Sequence, residues 1–444
     1  MNTETFKNIF IFFTKIFLFL LFLFGRTFIG IDLLGYRLGE ILVGLSFVIF
    51  ILYVLIFPGY KKKYFLDDKK LNLIMVILLI SFIIFNFLRS ISFTNLFIYQ
   101  TSTYIWSIGA LVLGYIFLDY FPNFVKKEDI ILSLLGLFII YIFSTRGISE
   151  NLQNVFLGYT DKFEYPKGSD LLIVFIFVMY LLVNKLNFSF MSFNILLFTS
   201  ALYVPLFLVK SRSGFISIVL FTILVLPRFR EVLKKLDLRF LITIFLTSFI
   251  FLSSTSYVVS KNIAIDETIS EELKFAITSR YKTINDNKYE KEVLELSLFY
   301  FQDGRIFTTD GNLNWRFQIW QDIFQDMYEE RKIMFGYGFD DIVPAMDSDQ
   351  RTGQDQQNIN VHNYFVHVLS RGGLTHLSLV LIFYVLLFRK FKSINLHNDF
   401  FLLTLPLIFN SLFDPSMENA HYPLIFYFTL GLIIKKPILF KSDI

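Results

Sequence analysis

The chain has 444 residues, 55% hydrophobic and 18% charged, with a formal net charge of +4 and no cysteine. Disulfides, zinc-thiolate sites and iron–sulfur clusters are thereby excluded, and so small a charge gives no sign of a nucleic-acid partner. The apolar residues come in separated runs of roughly 13 to 22 rather than at amphipathic spacing, which argues against a soluble core and for a polytopic protein in contact with membrane lipid. Phenylalanine is unusually common, at 58 residues, but it stands where leucine would also serve.

Twelve apolar runs read as spans: 9–24, 39–57, 71–88, 103–121, 130–144, 170–184, 190–209, 214–227, 240–259, 367–388, 400–413 and 422–434. The first is followed by Gly25-Arg-Thr-Phe and not by a small-x-small cleavage site, so a retained span is expected rather than a signal peptide. Basic clusters at Lys61–Lys63, Lys69–Lys70, Lys126–Lys127, Arg228 to Arg239, Arg389 to Lys392 and Lys435–Lys436 then fall on one side, together with both termini. Lysine and arginine bias marks that side as cytoplasmic.

The opposite face receives Gly25 to Leu38, Arg89 to Ser102, Thr145 to Asp170, the turn Lys210 to Gly214, a long polar segment after Val259, and Asp414 to Asn419. The expected fold is all-α, a polytopic membrane protein of about twelve transmembrane helices with one large, mostly helical extracytoplasmic loop. Its expected divisions are an N-terminal bundle (1–259), the loop (260–366) and C-terminal helices (367–444). From Ser260 to Val361 the loop carries 11 Lys and Arg against 19 Asp and Glu, the acidic balance of an exported segment.

Within the loop, Leu313, Phe317, Trp320, Phe324 and Met327 recur at helical spacing, with Asn312 or Asn314 as cap. This predicts an amphipathic helix on the membrane surface with Arg316 on the flank of its apolar stripe. Gly336 and Gly338 punctuate the chain before it re-enters the membrane through His362 and Gly372-Gly373.

Four features could carry chemistry. In Lys210-Ser211-Arg212-Ser213-Gly214, a planar guanidinium, an ammonium and two hydroxyls stand at the mouth of a helix, a composition suited to phosphate oxygens. The same residues would serve as a solvated turn with snorkelling side chains. Arg305 and Arg316 are further anion-binding candidates, each with Asp303, Asp310 or Asp322 available for ordinary ion pairing. His362 could accept a proton from a sugar hydroxyl, or simply stand at a helix start. Asp347-Ser-Asp349 resembles a metal-binding D-x-D, but on the exported face it reads as a plain acidic loop. His362 and His367 lack an obvious third ligand, and no H-E-x-x-H, P-loop or dinucleotide fingerprint is present.

The order of these motifs resembles a family. An S-R-S-G turn between spans, an exported R-x-x-x-W helix (Arg316 to Trp320), G-Y-G-F-D, H-N-Y-F and R-G-G together look like the bacterial O-antigen ligase and O-antigen polymerase superfamily. The resemblance covers roughly Ser200 to Phe388. It implies a glycosyltransferase of the inner membrane that needs no metal or other cofactor. The implied donor is a glycan on undecaprenyl diphosphate, and the acceptor is another glycan or lipid A-core.

Carried over by position, Arg212 and Arg316 bind the donor diphosphate, with Lys210, Arg305, Ser211 and Ser213 as further candidates. His362, with Asn363 beside it, positions and deprotonates the acceptor hydroxyl. Polymerases and ligases share the pattern. A transporter of lipid-linked substrate is the rival reading, but such proteins place ionisable groups within their spans. Here Lys15 is the main such residue.

Overall fold

The computed structural model describes residues 3–56, 68–87, 97, 99–101, 106–121, 127–160, 167–234, 237–266, 299–302, 304–308, 311–347, 359–418 and 420–435. It is mostly helical. The helices are α1 (Thr3–Ile29), α2 (Leu38–Ile56), α3 (Lys69–Phe87), α4 (Ala110–Tyr120), α5 (Lys127–Arg146), α6 (Glu150–Leu157), α7 (Gly168–Lys185), α8 (Phe190–Lys210) and α9 (Arg212–Val225). They continue with α10 (Leu238–Asp266), α11 (Gly311–Glu329), α12 (Tyr364–Ser393), α13 (His397–Ser411) and α14 (His421–Lys435).

Helix covers all or most of every apolar run, yet among the described residues length and apolarity make candidate membrane spans of five segments: Asn8–Ile29, Gly168–Lys185, Phe190–Lys210, Leu238–Ser260 and Tyr364–Ser393. A sixth is added if Ile131–Arg146 and Glu150–Leu157, bent by 96° at their junction, form one broken span. Leu38–Leu52, Trp106–Leu118 and His421–Lys435 are apolar but shorter.

The bundle is organised around α7. Residues 171–180 of this helix are buried without a break, as a sequence apolar on all faces requires when it is surrounded by other helices. Helices α5, α8, α9, α13 and α14 pack against it. Toward its C-terminal end Tyr180 donates to Asp399 at 2.8 Å and Arg228 donates to the same oxygen at 3.0 Å, so a buried carboxylate is matched by two donors. Lys15, the charge foreseen within the first span, is paired to Asp129 of α5 at 2.7 Å.

Two antiparallel hairpins were not anticipated: β1 (Asp32–Leu33) with β2 (Tyr36–Arg37), and β3 (Phe299–Gln302) with β4 (Arg305–Thr308). Helix α11 lies over the second. Its apolar face also differs from expectation. Ile319, Ile323 and Met327 are fully buried against Val343, Met346, Val361 and Leu369, with Trp315 and Trp320 at the edge, whereas Phe324 is 52% exposed. The helix is rotated toward a small protein core of its own, because two isoleucines and a second tryptophan outweigh the stripe through Leu313 and Phe324.

The G-Y-G-F-D and R-G-G segments hold each other. Tyr337 and Gly338 donate their backbone N–H groups to the carbonyls of Ser370 and Arg371, at 2.7 and 2.8 Å. The fully buried Arg371 guanidinium donates in return to the carbonyls of Gly338 and Asp341.

Candidate functional site

The head of α7 is the natural place to begin. Lys167 is its N-cap, and the Asp170 carboxylate accepts the Lys167 backbone N–H at 3.4 Å, closing the first turn. Asp170 is buried and also receives His421 Nε2 from α14 at 2.8 Å and lies 3.6 Å from Arg26 Nε. Arg26 reaches it because α1 breaks at Gly25, whose φ of 47° and ψ of −120° are open to glycine alone.

The Lys210-to-Gly214 turn abuts this point. A Cβ on Gly168 would lie 2.3 Å from the Ser211 Cβ, so the head of α7 can approach the turn only without a side chain there. Ser211 caps α9 by accepting the Gly214 N–H at 3.1 Å, and its hydroxyl meets that of Ser213 at 3.0 Å. Ser213 donates to the Asn410 side-chain oxygen of α13 at 3.0 Å. Lys210 is half-buried within electrostatic reach of Asp170, and Arg212 is exposed on the first turn of α9.

His362 arrives from the other side. Its φ is 58°, an uncommon conformation for a side chain of this size. It is held by α11: Trp320 donates its indole N–H to the Val361 carbonyl at 2.8 Å, and the Trp315 ring stands edge-on to the imidazole with centroids 5.1 Å apart. Burial, then the positive charges of Arg316 and Lys167, lower the His362 pKa to about 3. The ring is therefore neutral at physiological pH and able to accept a proton.

Asp414, on the segment joining α13 to α14, completes the group. Its N–H bonds to the Asn410 carbonyl at 2.9 Å, while its Oδ1 is inaccessible to solvent and has no hydrogen-bond partner among the described residues. Burial pushes this carboxyl up, opposed by Arg26, Lys167 and Arg316 and reinforced by Asp170. Arg26, Lys167 and Arg316 thus act electrostatically on Asp414, and Lys210 on Asp170, a gathering of cations that suits an anion.

Several candidates carry more ordinary duties. Arg305 on β4 forms an ion pair with Asp322 of α11 and donates to the Gln318 carbonyl at 3.2 Å, tying the hairpin to the helix. The Asn363 side-chain oxygen caps α12, accepting from the N–H groups of Phe365 and Val366 at 3.0 and 3.1 Å. His367 shares a 2.7 Å hydrogen bond with Gln100 inside the bundle. Asp347 ends a short 3₁₀ turn, and Asp349 lies outside the described residues.

The sequence reading missed Arg26, Lys167, Asp170, Trp315, Asp414 and His421. A signal did exist for Asp170, a lone carboxylate at the head of an otherwise apolar run. Nothing in the sequence pairs it with residues 26 and 421.

Residues 193–381 match the family model described as O-antigen ligase, which is consistent with similarity to the O-antigen ligase and polymerase superfamily. No curated protein and no solved structure gives a significant match to the chain.

Proposed function

Starting from an O-antigen ligase domain in a membrane of apolar helices, we propose that this protein is a surface-polysaccharide polymerase. It joins glycan repeat units carried on undecaprenyl diphosphate at the outer face of the cytoplasmic membrane. The observation that carries the reading is His362, held in place by Trp315 and Trp320 of α11 and within electrostatic reach of the cations Arg316 and Lys167.

A lipid-linked diphosphate is already a good leaving group. Transfer then requires positive charge where negative charge develops and a group to take the acceptor proton. In the proposed step the acceptor hydroxyl oxygen attacks the anomeric carbon. The bond from that carbon to the diphosphate oxygen breaks, the electron pair leaves with the diphosphate, and the hydroxyl proton passes to His362. Configuration at the anomeric carbon inverts.

Arg316, Arg212 and Lys210 grip the diphosphate, and Ser211 and Ser213 hold the turn on which the last two stand. Asp414 Oδ1, closed to solvent and without a hydrogen-bond partner among the described residues, is suited to accept a hydrogen bond from a sugar hydroxyl once the groups covering it move aside on acceptor binding. Arg305 is left to its structural pairing.

An open apolar groove of about 580 Å³ supports a lipid donor. Leu197, Val204, Val219, Ile223, Phe251 and Leu252 line it between α8, α9 and α10, and α8 and α9 are the two helices that meet at the cationic turn. In the topology expected from the sequence, twelve spans with both termini in the cytoplasm, that turn lies on the outer face. The description of the matched family favours a second reading, ligation of the glycan to lipid A-core or protein.

Arg212→Ala, Arg316→Ala and His362→Ala are each expected to abolish long-chain glycan on gels while the protein still inserts. Near-normal ladders from all three would remove the proposed site.

A further inference from the structure

We infer that Lys167 is a further donor-binding residue, contributed by the head of α7 where it abuts the cationic turn, although it lies outside the segment that matches the family model. The inference rests on the reading of this site as a diphosphate site and adds the grip that the N-terminal half contributes to it.

Position is the first argument. Lys167 is fixed at the head of α7 by the Asp170 capping contact, and the next residue, Gly168, is pressed against Ser211 of the cationic turn. Its ammonium therefore stays near residues 210–214, and the residue itself is exposed. Reach is the second. Lys167 acts electrostatically on His362, on Asp170 and on Asp414, which stand on three different stretches of chain. Arg316 acts on His362 and Asp414 as well, so the two cations influence the same pair of groups.

Charge and chemistry give the third argument. Two like charges focused on one imidazole repel each other and disfavour its protonated form unless an anion comes between them. A diphosphate carries two negatively charged phosphoryl groups in sequence, and two cations from different halves of the molecule can each take one. An ammonium on a flexible stem suits such a ligand as a point charge, while Arg316 offers a planar fork.

Asp170 is the positioning residue. Its contacts with the Lys167 backbone and with His421 set where α7 begins.

The test uses the full-length protein in nanodiscs and farnesyl diphosphate as probe, with binding followed by calorimetry. Wild type is expected to bind. Lys167→Met should weaken binding about tenfold, the order expected for one lost charge contact, and Lys167→Arg should restore most of it. In turnover assays Lys167→Met should lower kcat/KM for the lipid-linked donor by about tenfold, and Lys167→Arg should recover most of it. Unchanged affinity in Lys167→Met, with wild-type binding intact, would overturn the assignment of Lys167 alone. Failure of the wild type to bind farnesyl diphosphate would overturn the diphosphate reading and this inference with it. Melting temperature distinguishes a binding defect from misfolding, since an exposed side chain should leave it unchanged.

Discussion

His362 is a weak base in the resting site, through burial first and then through the cations that would meet the donor. Burial and the charges of Arg316 and Lys167 hold its pKa near 3, against about 6.5 for a solvated imidazole. An anion seated between those cations favours the imidazolium, so the pKa should rise once donor is bound. The acid limb of kcat/KM for the donor, which reports the free enzyme, is expected well below pH 6.5, and the limb of kcat at a higher pH than that. Profiles of both against pH check this. A kcat/KM limb at about 6.5 would mean that His362 is an ordinary solvated histidine. At Asp414, replacement by Asn keeps the size and removes the charge. It is expected to cut turnover by at least tenfold with little change in donor affinity, since the proposal has this group meeting the acceptor.

At the scale of elements, the site depends on α11 holding the start of α12. Trp320 grips the Val361 carbonyl one residue before the imidazole. Trp320→Phe keeps most of the ring and removes the N–H donor, so turnover should fall by about 10- to 100-fold through misplacement of His362. Single-turnover kinetics with saturating donor measure the loss. Turnover equal to wild type would separate the latch from the chemistry.

The helix itself was legible in the sequence, and so was Arg316 upon it. Its buried face was not, because the stripe through Leu313 and Phe324 competes with Trp315, Ile319 and Ile323. Only the tertiary partners Val343, Met346 and Val361 decide between them. The same limit hid the ion pair of Arg305 with Asp322: the candidate partner was readable, but the β3–β4 hairpin that brings the two together was not. Motif order proved the more durable signal. G-Y-G-F-D and R-G-G, some thirty residues apart in the chain, hold each other through Arg371.

For the whole molecule, the cationic centre is assembled from both halves. Arg26, Lys167 and Asp170 come from before the family-matched segment, Asp414 and His421 from after it, and Lys210, Arg316 and His362 from within. Apolar periodicity reveals where helices run but not which of their ends converge, so a sequence reading confined to motifs finds only the inner third of the site. Gly25 is the hinge of that assembly. Gly25→Ala forces a side chain into a backbone conformation that costs about 1–3 kcal/mol. It should lower the melting temperature and, by displacing Arg26 from Asp170, the affinity for farnesyl diphosphate. A variant as stable and as tight-binding as wild type would show that the break in α1 is incidental.

The account stands most directly on chain growth by the isolated protein. Purified protein in nanodiscs, given undecaprenyl-diphosphate-linked repeat unit alone in the presence of a metal chelator, is predicted to yield a ladder of lengthening glycan. The ladder should disappear in His362→Ala and Arg316→Ala. Absence of elongation by the wild type under these conditions, or an undiminished ladder from both variants, would contradict it.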